Sequence, residues 1–336
     1  MLLPFVKRAV VYFAREHVIH KLPIETKSHI LHFCDLPTLL GLYCDNGWRE
    51  LVGIEMMLCY NALLASFTPN PASFRQMMSD TGSIISGSTA LYLLLRQPCT
   101  WKPRDVDVIG VNEGYKTLLA FILSLPGAKV VSDSREQLEG DGPDSYPYEG
   151  LRRLVKVSTD MANFDVIEST GSVPSNTVVH YWGTHVMNAL TADSIQCAYP
   201  ALTLAHKVIQ VRYTNATNPI TKYKQRGFEL IRKEFRAVNL SASCGHNVLC
   251  SSRDRYFGDE DTLVLPIPGL VATGRERQMG SGGPRRVSAW RMGGRACGTA
   301  DCCLALAPRV EEIIVVPVRG EGAHVSRNDV TYEGLI

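Results

Sequence analysis

The sequence lacks a long hydrophobic run, and it lacks an excess of charge of either sign. Its 336 residues include 35 Lys and Arg against 33 Asp and Glu, which gives a net charge of +2. The uncharged segment from Met56 to Phe74 is interrupted by Asn61 and Pro69, which argues against a membrane span. We therefore expect no membrane association, and the overall charge gives no reason to expect a polyanionic partner.

Cysteine is too sparse for a fold that depends on disulfides, with ten cysteines in the chain. The N-terminal segment does not resemble a secretory signal, because Lys7, Arg8 and Arg15 interrupt it and no cleavage site follows an apolar core. Reduced thiols in the cytoplasm or the nucleus are therefore expected.

Several sequence signatures of catalysis are also missing. No Gly-x-Ser-x-Gly motif is present, which argues against a hydrolase of the nucleophile-elbow type. The glycine-rich segment 280–286 lacks the Lys-Ser/Thr ending of a phosphate-binding P-loop. No internal repeat is evident, so a solenoid or a propeller is not expected.

Three regions differ in composition. Residues 1–66 show apolar residues at helical spacing and are predicted to form a helical segment. Residues 67–240 alternate helix-like and strand-like patterns, and residues 67–268 are predicted to form one domain. Residues 269–336 hold eleven of the 27 glycines and nine arginines but no lysine. That composition predicts a Gly/Arg-rich tail, poorly ordered and largely disordered, with residues 311–318 as its one strand candidate.

The middle region supplies the predicted elements of the core. Helical spacing predicts helices over 176–190, 201–211 and 221–235. The charged and aromatic segment 253–263 is expected to return to the core as a strand, with a turn at Gly258-Asp259. Period-two patterns predict strands at 105–111, 151–158 and 162–169.

Two aspartates on the first of these strands carry the chemical signal. Asp105 and Asp107 flank one valine, so in a strand their side chains point to the same face. Neighbouring carboxylates repel each other, unless both face water on an edge strand or a divalent cation lies between them. Magnesium is bound by such oxygen ligands and keeps sites for water and phosphate.

The preceding "ISGSTAL" segment fits the cation hypothesis. Gly87 allows a close approach of the backbone to a ligand, and the helix start at Ser88 offers N–H groups and a hydroxyl to a phosphate. A third acid, Asp165, lies on a later predicted strand. It could share the cation or accept the proton of an attacking hydroxyl; the alternative is an α/β domain whose acids are simply solvated or capping.

This order of Gly-Ser, Asp-x-Asp and a later Asp resembles the polymerase-β-like nucleotidyltransferase superfamily, over about residues 74–235. The resemblance implies an α+β fold with a mixed sheet flanked by helices. It implies that Gly87 and Ser88 bind the phosphates of a nucleoside triphosphate. It further implies that Asp105 and Asp107 hold Mg²⁺ (or Mn²⁺), with Asp165 as the third carboxylate.

The same resemblance implies a role for a lysine after the core. In "SIQCAYPALTLAHKV", Lys207 would contact a phosphate or the metal-site carboxylates, and the alternative is an ordinary surface lysine. The implied reaction is transfer of a nucleoside monophosphate to an unknown acceptor, which is a protein, an RNA or a small molecule. A toxin–antitoxin-like or signalling transferase that modifies another protein is a further, separate functional hypothesis.

A second resemblance concerns the N-terminal region. Residues 22–52 are similar to an F-box, a small helical bundle that docks onto an Skp1-like adaptor. The alternative is a helical cap that packs on the core. A catalytically inactive, nucleotidyltransferase-like binding module acting as an F-box-type adaptor is thus the second functional hypothesis. The residues that carry the similarity are Leu22-Pro23, Glu25, Ile30-Leu31, Leu36, Leu39-Leu40 and Trp48-Arg49.

Two weaker patterns concern a zinc site and a basic patch. Cys244, His246 and Cys250 have ligand chemistry for zinc, but their spacing matches no standard finger. Basic residues offer a patch for a nucleotide or an RNA acceptor, with ordinary solvated charges as the alternative. This patch would comprise Arg152, Arg153, Lys222, Lys224 and Arg226.

Overall fold

The computed structural model describes residues 21–96, 100–134, 149–211, 217–231, 253–268, 285–292, 309–316 and 324–326. Its helices are α1 (Ile24–His32), α2 (Leu36–Tyr43), α3 (Asn46–Ala65), α4 (Pro71–Thr81), α5 (Gly87–Leu95), α6 (Asn112–Leu123), α7 (Ser175–Val178), α8 (Pro200–Leu204) and α9 (Thr217–Gln225). The zinc hypothesis for Cys244, His246 and Cys250 lies outside the described residues.

Within the described ranges the strands belong to three sheets. Two of these sheets are small: β8 (Lys207–Ile209) pairs with β9 (Glu229–Ile231), and the C-terminal sheet has the order β10 (Arg255–Tyr256), β12 (Arg285–Arg291), β13 (Arg309–Val316), β14 (His324–Ser326). The main sheet comprises β1 (Ile84–Ser86), β2 (Asp105–Gly110), β3 (Lys129–Asp133), β4 (Leu151–Ser158), β5 (Asn163–Ser169), β6 (Asn188–Leu190), β7 (Ser194–Cys197) and β11 (Leu263–Pro266).

Polar side chains fix where several helices begin. The Asp35 carboxylate accepts a hydrogen bond from the Thr38 N–H at the start of α2, and Asn70 does the same for Ser73 at the start of α4. Such caps satisfy N–H groups that have no partner inside the helix. α4 ends at Gly82, which has a φ of 67° that L-residues seldom adopt.

The main sheet is mixed, which confirms the α+β class. Among the described residues its order is β11-β7-β6-β1-β2-β5-β4-β3. Within it, β2 and β5 are parallel, while the other neighbouring strands are antiparallel. The predicted return of the chain near residue 260 is also confirmed, because a turn around Gly258-Asp259 leads to β11, which pairs with β7.

Different groups of residues pack against the two faces of the main sheet. On the first face, Val106, Phe164 and Val157 pack in one continuous core with the N-terminal helices. On the second face, Ile109 and Ile167 pack against residues that include Tyr199 and Trp290. The second face is therefore apolar at the C-terminal ends of β2 and β5, and its polar part lies at their N-terminal ends.

The N-terminal helices belong to the main core. Leu31, Leu39, Trp48 and Met56 are fully buried, and they join the same cluster as Val106 on the sheet. The helical character predicted for this region is confirmed over residues 24–65. The boundary predicted at residue 66 does not separate two hydrophobic cores.

Three predicted helices are wrong in extent. The segment 176–190 forms the short α7, a single 3₁₀ turn and strand β6, and the helix predicted over 201–211 ends at Leu204. His206 then adopts a φ of 55°, and Gly227 one of 85° after α9. These left-handed conformations follow the ends of α8 and α9 and prevent either helix from continuing. The segments that come next contain β-branched residues and pair with each other as β8 and β9. Long-range pairing thus overrides local helical spacing.

The C-terminal region contains the predicted strand within 311–318, which is confirmed as part of β13. The sequence analysis did not predict β12, whose Trp290 is 2% exposed and donates a hydrogen bond from Nε1 to the Tyr199 hydroxyl at 2.8 Å. This indole contacts Arg255 and the rings of Tyr199 and Phe257, which meet it edge-on or tilted, rather than a regular apolar strip, so alternation alone gave little signal.

No helix in the described part of the chain is long and apolar enough to cross a membrane. The described cysteines are free thiols: Cys34, Cys44, Cys59 and Cys197.

Candidate functional site

The turn from β1 into α5 carries the Gly-Ser pair. Gly87 has a φ of 61°, and a β-carbon at this position would overlap the Asp107 carboxylate. Only glycine combines this backbone conformation with the absence of a side chain. In the structure the group that lies against the Gly87 backbone is the Asp107 carboxylate, while the expected approach of a ligand to Gly87 stays a prediction.

Ser88 and Thr89 follow at the first turn of α5. The Ser88 hydroxyl is buried and has no hydrogen-bond partner among the described residues. The Thr89 hydroxyl donates to the Asp105 carbonyl at 3.0 Å and ties the helix start to β2. A buried hydroxyl without a partner costs free energy in the absence of a ligand, and a helix start favours an anion.

The strand register aligns the predicted acids. Ser86 on β1 is paired with Asp107 on β2, and Asp107 is paired with Asp165 on β5. Because neighbouring strands lie about 4.8 Å apart, these three side chains form one row on the second face of the sheet. The sequence predicted that Asp105 and Asp107 share a face, and the parallel pairing places Asp165 beside them.

Burial and neighbouring negative charges change the pKa values of the two aspartates in this row. Burial, which is the largest cause, and the charges of Asp105 and Asp165 together raise the pKa of Asp107 from its ordinary 3.8 to about 7. Burial also raises the pKa of Asp165, which Lys156 opposes. A carboxylate with a raised pKa stores electrostatic repulsion that a bound cation relieves.

Two lysines act on the acids, and the sequence analysis did not single out the first of them. The Lys156 ammonium lies 3.5 Å from the Asp165 carboxylate, because the two residues are paired across β4 and β5. Lys222, on α9, lowers the pKa of Asp107. The sequence signal for Lys156 was its position between Val155 and Val157. Because side chains alternate along a strand, Lys156 points away from the valines, and pairing of β4 with β5 puts it on the face of Asp165.

Lys207 occupies a different place from the one expected. It begins β8, its side chain is exposed, and it is paired with Glu229 of β9. The predicted helix that would have carried it ends at Leu204. A phosphate contact by Lys207 stays a prediction, while the cations whose charges act on Asp107 in the described structure are Lys222 and Lys156.

The proposed basic patch divides into two groups. Arg152 and Arg153 on β4 form ion pairs with Glu168 and Asp133 respectively. Arg226, by contrast, follows α9 and lies close enough to Asp105 for their charges to interact. Lys222 and Arg226 thus interact with the acids, while the β4 arginines are engaged in ion pairs on the sheet.

Aromatic rings form one wall beside the acids. The Arg226 guanidinium stacks 3.8 Å from the centre of the Trp101 ring and 5.0 Å from that of Tyr223. Burial and the neighbouring Asp107 raise the pKa of Tyr181, which therefore stays a neutral phenol. These cation–π contacts hold the Arg226 guanidinium against the aromatic wall.

The residues present fit a magnesium ion held by two carboxylates. Among the described residues, no group of three or more His, Cys, Asp or Glu side chains is arranged to hold a metal. Magnesium, however, commonly binds through one or two carboxylates and completes its shell with water and substrate phosphates. Asp105 and Asp107, next to the unpartnered Ser88 hydroxyl, provide that donor set.

Comparison of the chain with family models, with curated proteins and with solved structures finds no match. The functional argument therefore depends on the site geometry.

Substitution of Gly87 tests the contact with Asp107. We expect Gly87→Ala to destabilise the protein by about 1–2 kcal/mol for the left-handed backbone, with a further cost because the new methyl group displaces the Asp107 carboxylate. Chemical denaturation gives the free energy of unfolding.

Gly82→Ala is the matched control, because Gly82 has a φ of 67° but no atom within 4 Å of an added β-carbon. It should show the backbone cost alone. Equal losses of stability in the two variants would contradict the close packing of Gly87 on Asp107.

Proposed function

We propose that the protein is a magnesium-dependent nucleotidyltransferase with a polymerase-β-like core. The observation that carries the proposal is the cross-strand row of Ser86, Asp107 and Asp165 beside the Gly87 turn. Three further features support it: the raised pKa of Asp107, the unpartnered Ser88 hydroxyl and the lysines facing the acids.

The proposed reaction moves a nucleoside monophosphate from a nucleoside triphosphate to an acceptor. The acceptor hydroxyl oxygen forms a bond to the α-phosphorus, the bond from that phosphorus to the bridging oxygen breaks, and pyrophosphate leaves. When bound to Asp105 and Asp107, Mg²⁺ (or Mn²⁺) offsets the charge that develops on the phosphates.

The protein residues have separate tasks in this scheme. The N–H groups at the start of α5 and the Ser88 hydroxyl bind phosphate oxygens. Asp165 accepts the proton of the acceptor hydroxyl, and Lys156 orients its carboxylate from 3.5 Å. Arg226 and Lys222 attract the triphosphate to the side of the site formed by α9.

Fewer observations support the F-box-type adaptor hypothesis. Leu31, Leu36, Leu39 and Trp48, which carry the similarity, are fully buried in the main core. An adaptor would have to contact other residues of these helices, of which Phe33 is 75% exposed. Binding of an Skp1-like adaptor stays a prediction.

Thermal unfolding with magnesium and each of the four common ribonucleoside triphosphates tests the proposed function. A ligand at a hundred times its dissociation constant adds about 2.7 kcal/mol, which raises the Tm of a chain of this size by about 4 °C. We expect such a rise with magnesium and at least one nucleotide, and its loss in Asp105→Asn.

Glu113→Gln is the control, because this exposed carboxylate on α6 forms only a surface ion pair with Lys116. It should retain the full rise. A wild-type protein whose Tm is unaffected by every nucleotide at millimolar concentration would refute the nucleotidyltransferase proposal.

A further inference from the structure

The outer face of helix α3 is apolar and carries no exposed charge over most of its length. Within residues 51–65 the one charged side chain is Glu55, which is 7% exposed in its ion pair with Arg96. Ile54 and Leu58, by contrast, are 37% and 55% exposed. A helix that faces only water usually carries charged or polar residues on its outer side. The apolar outer face of α3 therefore indicates a contact surface.

The exposed apolar residues of α3 are spaced so that they share one side of the helix. Successive members are three or four residues apart, which is the spacing of a helix that packs against another helix. With a rise of 1.5 Å per residue, they extend over about 21 Å. We call this surface the α3 strip, and it comprises Leu51, Ile54, Leu58, Ala62 and Ala65. Leu51 is partly exposed, and both alanines are exposed.

Phe33, at the end of α1, adds apolar surface beside the α3 strip. It is 75% exposed, the highest fraction among the exposed large apolar residues of the described structure. The Nδ1 atom of the adjacent His32 lies 3.4 Å from Glu55 Oε1, which places the end of α1 next to the middle of α3. Exposed apolar side chains from two helices thus lie on the same part of the molecule, which distinguishes this surface from a single exposed residue.

The sizes of the side chains in the α3 strip fit a second copy of the strip in an antiparallel arrangement. With a two-fold axis at Leu58, this residue meets its own counterpart. Leu51 then faces Ala65 of the other copy, and Ile54 faces Ala62 of the other copy. A large side chain opposite a small one lets two helices pack closely without voids or overlap. A parallel arrangement would instead place alanine against alanine and leave a gap at one end.

The charges around the α3 strip allow the same arrangement. Glu55 is already neutralised by Arg96 inside the chain, so contact between two copies leaves no unpaired charge in the interface. An interface of two crossing helices, with Phe33 of each copy at its margin, lies at the small end of specific interfaces. Association in the micromolar range is therefore expected.

We propose that the protein forms a symmetric dimer in which the α3 strips of two copies pack antiparallel around Leu58. Such an interface is closed, because the same surface of each copy is used up by the other. The proposal goes beyond the nucleotidyltransferase function and does not depend on it. The α3 strip belongs to the helices on the first face of the sheet, whereas the acids lie on the second face.

Sedimentation velocity of the full chain across micromolar concentrations tests the proposed dimer. We expect the average mass of the wild type to rise from one chain to two chains as the concentration increases. Leu58→Lys removes the central apolar contact and places two cations against each other at the two-fold axis. It should raise the dimer Kd at least about tenfold, and Leu58→Glu should do the same with two anions. Both substitutions preserve the helix, because the site is half-exposed and Lys and Glu are good helix formers.

An equimolar mixture of Leu58→Lys and Leu58→Glu identifies a second copy as the partner. Opposite charges meet at the axis of the mixed dimer, so the mixture should associate more tightly than either variant alone. Leu123→Lys is the matched control, since Leu123 is a leucine on another helix, α6, that is 41% exposed. It should dimerise like the wild type.

Two results would overturn the proposal. The first is a wild type that stays monomeric at every concentration, which would indicate that another segment of the chain or a different protein covers the α3 strip. The second is a mixture that associates no more tightly than the separate variants, which would place any dimer contact away from Leu58.

Discussion

Asp107→Asn is expected to abolish magnesium-dependent nucleotide binding and at the same time to stabilise the ligand-free protein. The asparagine keeps the shape of the side chain but removes a half-buried charge that lies beside Asp105 and Asp165. The pKa shift from 3.8 to about 7 corresponds to at most about 4 kcal/mol, and partial exposure reduces this value. A gain in stability together with a loss of function is typical of a functional residue.

The pH dependence of this effect has a definite sign. Because the pKa of Asp107 is higher in the folded protein than in the unfolded chain, the folded state binds more protons between about pH 4 and pH 7. The electrostatic cost is absent below pH 4, grows as the pH rises and is complete above pH 7. The stability difference between Asp107→Asn and wild type should therefore be largest at pH 8 and small at pH 4.

Chemical denaturation across this pH range, without magnesium, gives the measurement. Glu113→Gln again provides the control, and its stability should follow the wild type at every pH. An Asp107→Asn protein that is less stable than wild type at pH 8 would show that the carboxylate is held by favourable contacts, which would contradict a strained metal ligand.

The second large effect is expected where the N-terminal helices meet the sheet domain. The Arg96 guanidinium donates to Glu55 Oε1 at 2.8 Å and to the carbonyl oxygens of Leu31 and His32 at 3.2 and 3.1 Å. Arg96 and Glu55 are 5% and 7% exposed, so their ion pair is buried. Removing one partner of a buried pair leaves the other charged group desolvated, at a cost of about 3–5 kcal/mol.

Arg96→Met should therefore lower the free energy of unfolding by about 3–5 kcal/mol in a single cooperative transition. Arg49→Met is the control, because Arg49 lies on the same group of helices but donates one exposed hydrogen bond to the Tyr43 carbonyl. It should cost less than about 1 kcal/mol.

The number of unfolding transitions shows whether the N-terminal helices share the core of the sheet domain or form an independent module. A single transition agrees with the shared core of Trp48, Met56 and Val106. Two transitions in Arg96→Met, the first confined to residues 24–65, would contradict that core and favour an independent F-box-like module.

The sequence alone predicted those parts of the site that depend on residues only a few positions apart in the chain. The shared face of Asp105 and Asp107 follows from alternation within one strand, and Gly87 follows from its place between a strand and a helix. These relationships involve neighbouring residues, so a pattern of a few positions suffices to find them.

Other features depend on strand pairing, which a single sequence does not specify. Lys156 faces Asp165 only because β4 and β5 pair in one register, and a shift by one residue would turn it to the other face. The wrong extent of the helix predicted over 201–211 has the same origin, since its helical spacing was overridden by pairing of β8 with β9. Trp290 was missed because its partner Tyr199 lies in a distant part of the chain.

The parallel pairing of β2 with β5 also determines when the acidic site can form during folding. Asp107 and Asp165 are neighbours in the sheet although α6, β3 and β4 lie between them in the chain. Bringing them together requires closure of a long loop, which is entropically costly and slow compared with the formation of α1 to α4 from local contacts. A nascent chain that has emerged only as far as β4 therefore contains the Gly-Ser turn and both metal-ligand candidates, but not the carboxylate that would take the proton. Catalytic competence would arise late, after the strand that completes the row has inserted between β2 and β4.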